Sequence, residues 1–143
     1  MKTILSVLLA AVVLPTHVAE AAPGTNDAVA GASKPKEGSS RKVGVDEFEK
    51  LWKDKTNVVL DVRTKKEFEA GHIPGAINVD VTAPDFAEKA AALDKNKVYL
   101  VHCAAGRRSA SACEQMTKLG FTKLVDLNPG FRGWEKAGKA VEK

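Results

Sequence analysis

The sequence predicts a three-layer α/β domain, in which a central, mostly parallel sheet carries helices on both faces. From residue 42 onward, short runs of β-forming residues alternate with segments of helical periodicity, and no internal repeat is visible. Strands that alternate with helices are joined by crossovers, which makes neighbouring strands parallel. The 143 residues, 28% charged and 44% hydrophobic, have the size and composition of one soluble globular domain. We therefore expect a single domain over residues 42–143.

The first predicted elements are a helix and a buried strand. The spacing predicts a helix over residues 45–54, because Phe48, Leu51 and Trp52 fall on one face. The run Val-Val-Leu-Asp-Val over residues 58–62 is continuously apolar except for its aspartate, which is typical of a strand covered on both faces.

The middle of the predicted domain continues the alternation. Residues 64–70 are predicted as a short helix and residues 76–81 as a second strand. Residues 84–93 are predicted as a helix, with Phe86 and Leu93 on its apolar face.

Two further strands complete the predicted sheet. They cover residues 98–102 and 123–127, and a helical pattern follows each of them. The apolar stripe of the first of these helices is formed by Ser109, Ala112, Cys113, Met116 and Leu119.

The first 21 residues have the features of a secretory signal peptide. Lys2 provides a positive amino-terminal region, residues 4–14 are apolar, and Ala-Glu-Ala ends at Ala21 as a small-residue cleavage site. The apolar run is shorter than the roughly 20 residues that a membrane-spanning helix needs. We therefore expect no membrane span and a periplasmic or secreted protein that is cleaved after Ala21.

Residues 22–41 are expected to form a flexible leader to the domain. They are rich in Ala, Gly, Ser, Pro and Lys, and Val29 is their only larger apolar residue. Such a segment cannot bury enough apolar surface to offset the entropy of ordering.

The charge of the chain favours small anionic ligands. The formal net charge is +4, and removal of residues 1–21 leaves it unchanged, because Lys2 and Glu20 leave together. No basic stripe interleaved with aromatic residues is present, so nucleic-acid binding is not expected. No residues show metal-ligand spacing, and we expect neither a metal nor a cofactor.

One cysteine is placed where a reactive thiol is stabilised. The strand over residues 98–102 delivers Cys103 into a turn that contains Gly106, and helix-compatible sequence follows. Backbone N–H groups and the positive end of the helix dipole can surround the sulfur there, while Arg107 and Arg108 add charge. Such surroundings lower a cysteine pKa from about 8.5 to roughly 3.5–7.5. Cys103 is therefore the candidate catalytic residue, and the candidate substrate-binding residues are those of the turn: Ala104, Ala105, Gly106, Arg107, Arg108 and Ser109.

Three charged residues near a second strand end are interpreted as scaffold. Asp61 ends a predicted strand, as Cys103 does, and the two can share one edge of the sheet. Asp61 could act as a general base, but a carboxylate close to the thiolate would raise the cysteine pKa. Arg63 and Glu67 stand four residues apart at a helix start, which predicts an ion pair between them.

The remaining candidate side chains are predicted to be structural. His102 precedes Cys103 on a strand, so the two side chains should point to opposite faces. His72 is expected to bond local backbone. Cys113 lies about two helical turns beyond the Cys103 loop, roughly 9–10 Å along the axis, and bridged Cα atoms lie within about 7 Å. We therefore expect no disulfide between Cys103 and Cys113.

Four stretches together resemble a known family. They are the segment 60–78 with its His-Ile-Pro-Gly-Ala turn, the loop that starts at Cys103, the Leu-Gly-Phe of residues 119–121 and the Trp-Glu-Lys-Ala-Gly of residues 134–138. In this order they resemble the landmarks of the rhodanese family of sulfurtransferases, and the chain is similar to its single-domain, exported, phage-shock-type thiosulfate sulfurtransferases. The resemblance implies a rhodanese-like fold.

The resemblance also implies a reaction. Cys103 would take the outer sulfur of thiosulfate as a persulfide and pass it to cyanide or a thiol. One alternative is a persulfide carrier for a partner, such as a periplasmic thiol protein, since Ala104 and Ala105 leave the sulfur approachable. Another is a cysteine phosphatase or arsenate reductase of the same fold. Those enzymes use C-x5-R, whereas Cys103 and Arg108 here form C-x4-R.

Two points stay open from the sequence. The family usually carries a Gly-Gly pair where this chain has Pro129 and Gly130 after Asn128, so this turn beside the site is expected to differ in shape. Either Arg107 or Arg108 can be the residue that faces the substrate.

Overall fold

The computed structural model describes residues 40–143. The predicted signal peptide 1–21, and the predicted leader 22–41 except for its last two residues, lie outside the described residues. The strands are β1 (Arg41–Val43), β2 (Val58–Asp61), β3 (Ile77–Asn78), β4 (Tyr99–His102) and β5 (Leu124–Leu127). The helices are α1 (Val45–Lys53), α2 (Lys65–Ala70), α3 (Phe86–Ala91), α4 (Arg107–Lys118) and α5 (Gly130–Lys136).

The five strands form one sheet in the order β1-β5-β4-β2-β3, and every pairing is parallel. This confirms the predicted α/β fold. Strand β4 is central, with Val101 opposite both Leu60 of β2 and Asp126 of β5. Because parallel strands end at the same edge, the residues that follow β2, β4 and β5 lie at one edge of the sheet.

Helices cover both faces of the sheet, as predicted. On one face, α3 and α4 pack against β2 and β4 through a core whose largest members include Phe86, Met116 and Tyr99. On the other face, α1 and α5 contribute Phe48 and Trp134, whose rings meet edge to face at 5.9 Å. The sheet is thus buried on both sides, which explains its nearly continuous apolar strands.

Strand β1 is not among the predicted elements. It begins at Arg41, one residue before the predicted start of the domain, and pairs with β5 at the edge of the sheet. Three residues of mixed polarity are too few to display a strand period. Strand β3 is shorter than predicted, although Val79 and Val81 still donate backbone hydrogen bonds to the end of β2.

Local chemistry explains where α2 begins. Thr64 caps the helix, its side chain accepting from the Glu67 N–H while the Glu67 carboxylate accepts from the Thr64 N–H. This reciprocal pair satisfies two backbone donors that would otherwise be free. Among the helices of residues 40–143, none combines the length and hydropathy needed to cross a membrane.

Candidate active site

Cys103 lies directly after β4, at the floor of an open cavity. The cysteine is buried, with 1% of its surface exposed. The cavity has a volume of about 500 Å³ and is lined by Cys103, Ala104, Ala105, Arg107, Arg108, Ser111 and Arg132. A ligand in it would meet the sulfur from one side and three guanidinium groups from the rim.

The turn after Cys103 supplies hydrogen bonds to the sulfur. The Gly106 N–H donates to Sγ at 3.1 Å, and Sγ lies 3.5 Å from the Ser109 hydroxyl. Burial raises the pKa of the Cys103 thiol. The Ser109 side chain and the backbone amides of Ser109, Ala105 and Gly106 outweigh that effect and place the pKa below its usual value. The structure therefore shows the amide-lined setting that favours a thiolate.

The first turn of α5 holds this loop from behind. The Phe131 N–H donates to the Cys103 carbonyl at 2.7 Å, and the Arg132 N–H donates to the Ala104 carbonyl at 3.1 Å. With their carbonyls bound on that side, the peptide units of the loop can direct N–H groups toward the sulfur. The close approach needs Gly130, because a Cβ there would lie 2.6 Å from backbone atoms of Ala104 and Ala105.

The prediction of an ion pair between Arg63 and Glu67 is wrong. Glu67 instead accepts two hydrogen bonds from Arg108, at 2.7 and 2.8 Å. The Arg108 guanidinium, with help from Thr64, lowers the pKa of Glu67 to about 2. The pair therefore stays ionised as the pH falls until near that value, and it ties α2 to the Cys103 loop.

Arg63 has other partners. Its guanidinium donates to the Asp61 carboxylate, with contacts of 2.6 to 3.0 Å, and to the Gly71 carbonyl at 2.7 Å. It also lies 4.0 Å from the centre of the Phe131 ring, at the start of α5. This buried pair supports α5, and α5 in turn supports the loop.

His102 and Cys103 point to opposite faces of the sheet, as predicted. The His102 ring lies between Phe48 and Phe131 on the α1 and α5 side, with Nε2 3.6 Å from the Asp61 carboxylate. Asp61 thus faces the layer away from the sulfur, which argues against a general-base role. Burial lowers the pKa of His102 to about 4, so the ring is neutral at physiological pH.

Two further predictions for single residues are confirmed. His72 bonds local backbone, with Nδ1 2.9 Å from the Phe68 carbonyl. Cys113 is buried in the core, both cysteines are free, and burial raises the pKa of the Cys113 thiol to about 12. Cys103 is therefore the cysteine equipped for nucleophilic chemistry.

Residues 44–137 match the family model of the rhodanese-like domain. The chain belongs to the rhodanese-like family. YtwF of Bacillus subtilis, named as a sulfurtransferase, is 36% identical over 87 residues, which cover 61% of this chain and 82% of that protein. Thiosulfate sulfurtransferase 16 of Arabidopsis thaliana is 36% identical over 89 residues, covering 55% of this chain and 74% of that protein.

Other relatives differ in size. YrkF of Bacillus subtilis, named as a sulfur carrier protein, is 35% identical over 86 residues, which cover 60% of this chain and 45% of that protein. The chain thus spans less than half of YrkF. A crystal structure of a rhodanese-related protein from Thermoplasma volcanium superposes with a TM-score of 0.64 at 33% identity, covering 71% of this chain and 97% of that one.

The basic rim of this rhodanese domain differs from the one predicted. The charge of Arg108 is offset by Glu67, whereas Arg107 and Arg132 are exposed and make no ion pair with residues 40–143. Sequence reasoning missed Arg132. The sequence does contain a signal for it. Pro129 and Gly130 mark a helix start directly after the last strand, and this places the first turn of α5 at the same sheet edge as Cys103. No group of His, Cys, Asp and Glu within the described part of the domain could hold a metal ion.

Proposed function

We propose that this rhodanese domain is a thiosulfate sulfurtransferase that works through a Cys103 persulfide. The observation that carries the proposal is the Cys103 sulfur, which receives a backbone N–H at 3.1 Å and faces a cavity with two arginines that make no ion pair within residues 40–143. The same amides that stabilise a thiolate can stabilise an anionic persulfide.

Each step of the proposed reaction has a group to serve it. The Cys103 thiolate attacks the outer sulfur of thiosulfate, so a sulfur–sulfur bond forms at Sγ while the bond within thiosulfate breaks. Sulfite leaves with the electron pair, toward the positive charges of Arg107 and Arg132. Cyanide or a thiolate then attacks the outer sulfur of the persulfide and restores the Cys103 thiolate.

The rim arginines should set the affinity for thiosulfate. We expect Arg107→Ala and Arg132→Ala each to raise the KM for thiosulfate about three- to tenfold, because each removes one attractive charge from a dianion site. A smaller fall in kcat is also expected, because the same charges face the departing sulfite. Lys118→Ala is the matched control, since it removes an exposed lysine at the far end of α4. Steady-state kinetics at two ionic strengths test this, and an equal KM effect in the control would contradict it.

The loop length favours sulfur over phosphate chemistry. In C-x5-R proteins the arginine is the sixth residue after the cysteine. Here that position is Ser109, which is buried in the first turn of α4 and lies against the sulfur. A cysteine phosphatase needs an arginine there for a tetrahedral oxyanion. Cys103-dependent hydrolysis of an aryl phosphate by the unmodified protein would overturn the proposal.

A persulfide carrier is the second candidate function. YrkF is named as a sulfur carrier, and the small side chains of Ala104 and Ala105 border the cavity. Turnover of thiosulfate and cyanide should be compared with single-turnover sulfur transfer from persulfidated protein to reduced thiol proteins. Fast turnover supports the enzyme, whereas transfer to one thiol protein with negligible turnover supports the carrier.

We also propose that the protein is exported, as in the phage-shock-type subgroup that it resembles. The support lies in the sequence alone, in Lys2, the apolar run and the Ala-Glu-Ala site. The full-length chain, expressed in a Gram-negative bacterium, should appear in the periplasmic fraction with Ala22 as its first residue. Amino-terminal sequencing decides this, and an uncleaved cytoplasmic protein would refute it.

A further inference from the structure

A second cavity opens beside the one that holds Cys103. It has a volume of about 260 Å³ and lies between the end of α2 and the first turns of α5. Ala104 and Arg132 line both cavities, so the two share a border. The proposed reaction places thiosulfate over Cys103 and assigns nothing to this second space. A molecule bound there would lie beside the residue that directly follows the cysteine.

The charges that line the second cavity fall into two classes. Arg63 and Glu67 are each held in an ion pair by a neighbouring side chain, at 2.6 and 2.7 Å. Arg132 and Glu135 are exposed and make no ion pair with residues 40–143. The cavity therefore offers a ligand one positive and one negative charge.

The spacing and the volume favour a small zwitterion. Arg132 and Glu135 are three positions apart in α5, so they share one helix face with about 5–6 Å between their Cβ atoms. An α-amino acid carries its ammonium and its carboxylate on a single carbon, and it can contact two such side chains at once. A water molecule occupies about 30 Å³. The cavity thus has room for roughly eight or nine atoms of that size, which is enough for free cysteine.

We propose that the second cavity is the subsite for the sulfur acceptor, and that it binds a thiol with an α-amino acid group, of which free cysteine is the simplest. The carboxylate of the acceptor pairs with Arg132 and its ammonium with Glu135. Its sulfur reaches past Ala104 to the outer sulfur of the Cys103 persulfide. The proposal rests on the proposed function, because it requires that persulfide.

The transfer balances without any further reactant. The acceptor thiol loses its proton to solvent, and the resulting thiolate forms a bond to the outer sulfur of the persulfide. The sulfur–sulfur bond of the protein persulfide breaks, and its electron pair stays on Cys103, which becomes a thiolate again. The acceptor leaves as a persulfide.

The test uses three acceptors that differ in their charged groups. Cysteine has both an ammonium and a carboxylate, mercaptoacetate lacks the ammonium, and cysteamine lacks the carboxylate. Purified protein is loaded with sulfur from thiosulfate, freed of the donor and mixed with each acceptor below saturation, and intact mass follows the loss of the sulfur. For each acceptor, the rate of a variant is divided by the rate of the unmodified protein, which cancels the intrinsic reactivity of the thiol.

We expect the two charges to act on different acceptors. Glu135→Gln should slow transfer to cysteine and cysteamine about three- to fivefold, and should not slow transfer to mercaptoacetate. Arg132→Ala should slow cysteine and mercaptoacetate by a similar factor and should not slow cysteamine. Alanine keeps the backbone N–H that residue 132 donates to the Ala104 carbonyl. Glu88→Gln is the matched control, because Glu88 is exposed on α3 and lines neither cavity, and it should slow none of them.

Two patterns would overturn the proposal. Equal slowing of all three acceptors by either variant would mean that the residue supports the loop and does not recognise the acceptor. Unchanged rates in Glu135→Gln and Arg132→Ala would mean that no acceptor binds between these charges.

The result can be separated from the fate of the proposed function. If thiosulfate does not load Cys103, inorganic polysulfide serves as the sulfur donor, and the acceptor comparison then tests the subsite although the thiosulfate reaction has failed. Normal turnover of thiosulfate and cyanide, together with variants that do not discriminate among the acceptors, rejects the subsite alone. Protein that loads from neither donor refutes both.

Discussion

We expect Cys103→Ser protein to take up no sulfur from thiosulfate, whereas the unmodified protein gains the mass of one sulfur atom. A serine hydroxyl cannot form a persulfide, and at neutral pH it is a far weaker nucleophile than a thiolate in an amide-lined turn. Sulfur transfer to cyanide should fall by on the order of a thousandfold or more, to the assay background. Intact-mass measurement before and after cyanide treatment follows both formation and loss of the adduct.

Cys113→Ser is the matched control for this result. Cys113 is buried in the core, and its thiol stays protonated at neutral pH, so its loss should leave the adduct in place. A sulfur adduct that persists without Cys103, or one that disappears without Cys113, would contradict the assignment of the nucleophile.

Gly130→Ala is expected to damage both the loop and its chemistry. The added Cβ would lie 2.6 Å from the carbonyl atoms of Ala104 and the nitrogen of Ala105, and the backbone φ of +71° adds a strain of about 1–2 kcal/mol for any L side chain. The loop or α5 has to move. Because displacement of a reacting group by about 1 Å can cost on the order of a hundredfold in rate, kcat/KM should fall by about that factor.

Gly138→Ala separates the clash from the strain. Gly138 has nearly the same φ, +69°, but an added Cβ there has no heavy atom of another described residue within 4 Å. Gly138→Ala should lower the free energy of unfolding, measured by thermal unfolding, by about the same strain energy. It should leave kcat/KM close to the wild-type value. Equal activity of the two variants would show that the close approach of Gly130 to the loop is not needed for catalysis.

The position of the nucleophile follows from local sequence, whereas the partners of its neighbours do not. A buried strand that runs into a Gly-containing turn places Cys103 at the sheet edge whatever the rest of the chain does. The partner of Glu67 depends on distance in space. Arg108 lies 41 positions away, while the nearby Arg63 is already bound by Asp61 and by the Gly71 carbonyl.

The same limit explains the other differences. Strand β1 exists because β5 offers it an edge, which three residues of sequence cannot reveal. Arg132 reaches the cavity because the Ala104 carbonyl accepts its backbone N–H, a contact between segments that no periodicity links. Local patterns predict elements, and the pairing of side chains from different elements depends on tertiary packing.

In the proposed reaction, the depth of Cys103 determines which sulfur atom an acceptor can reach. With 1% of the residue exposed, its own sulfur is shielded by the surrounding loop. A persulfide on Cys103 would place a second sulfur about 2 Å beyond Sγ. Nucleophilic attack is therefore directed to the outer atom, which releases the delivered sulfur on the acceptor. Attack on the inner atom, which would trap the protein as a mixed disulfide, is sterically disfavoured, so the burial of the cysteine confers regioselectivity.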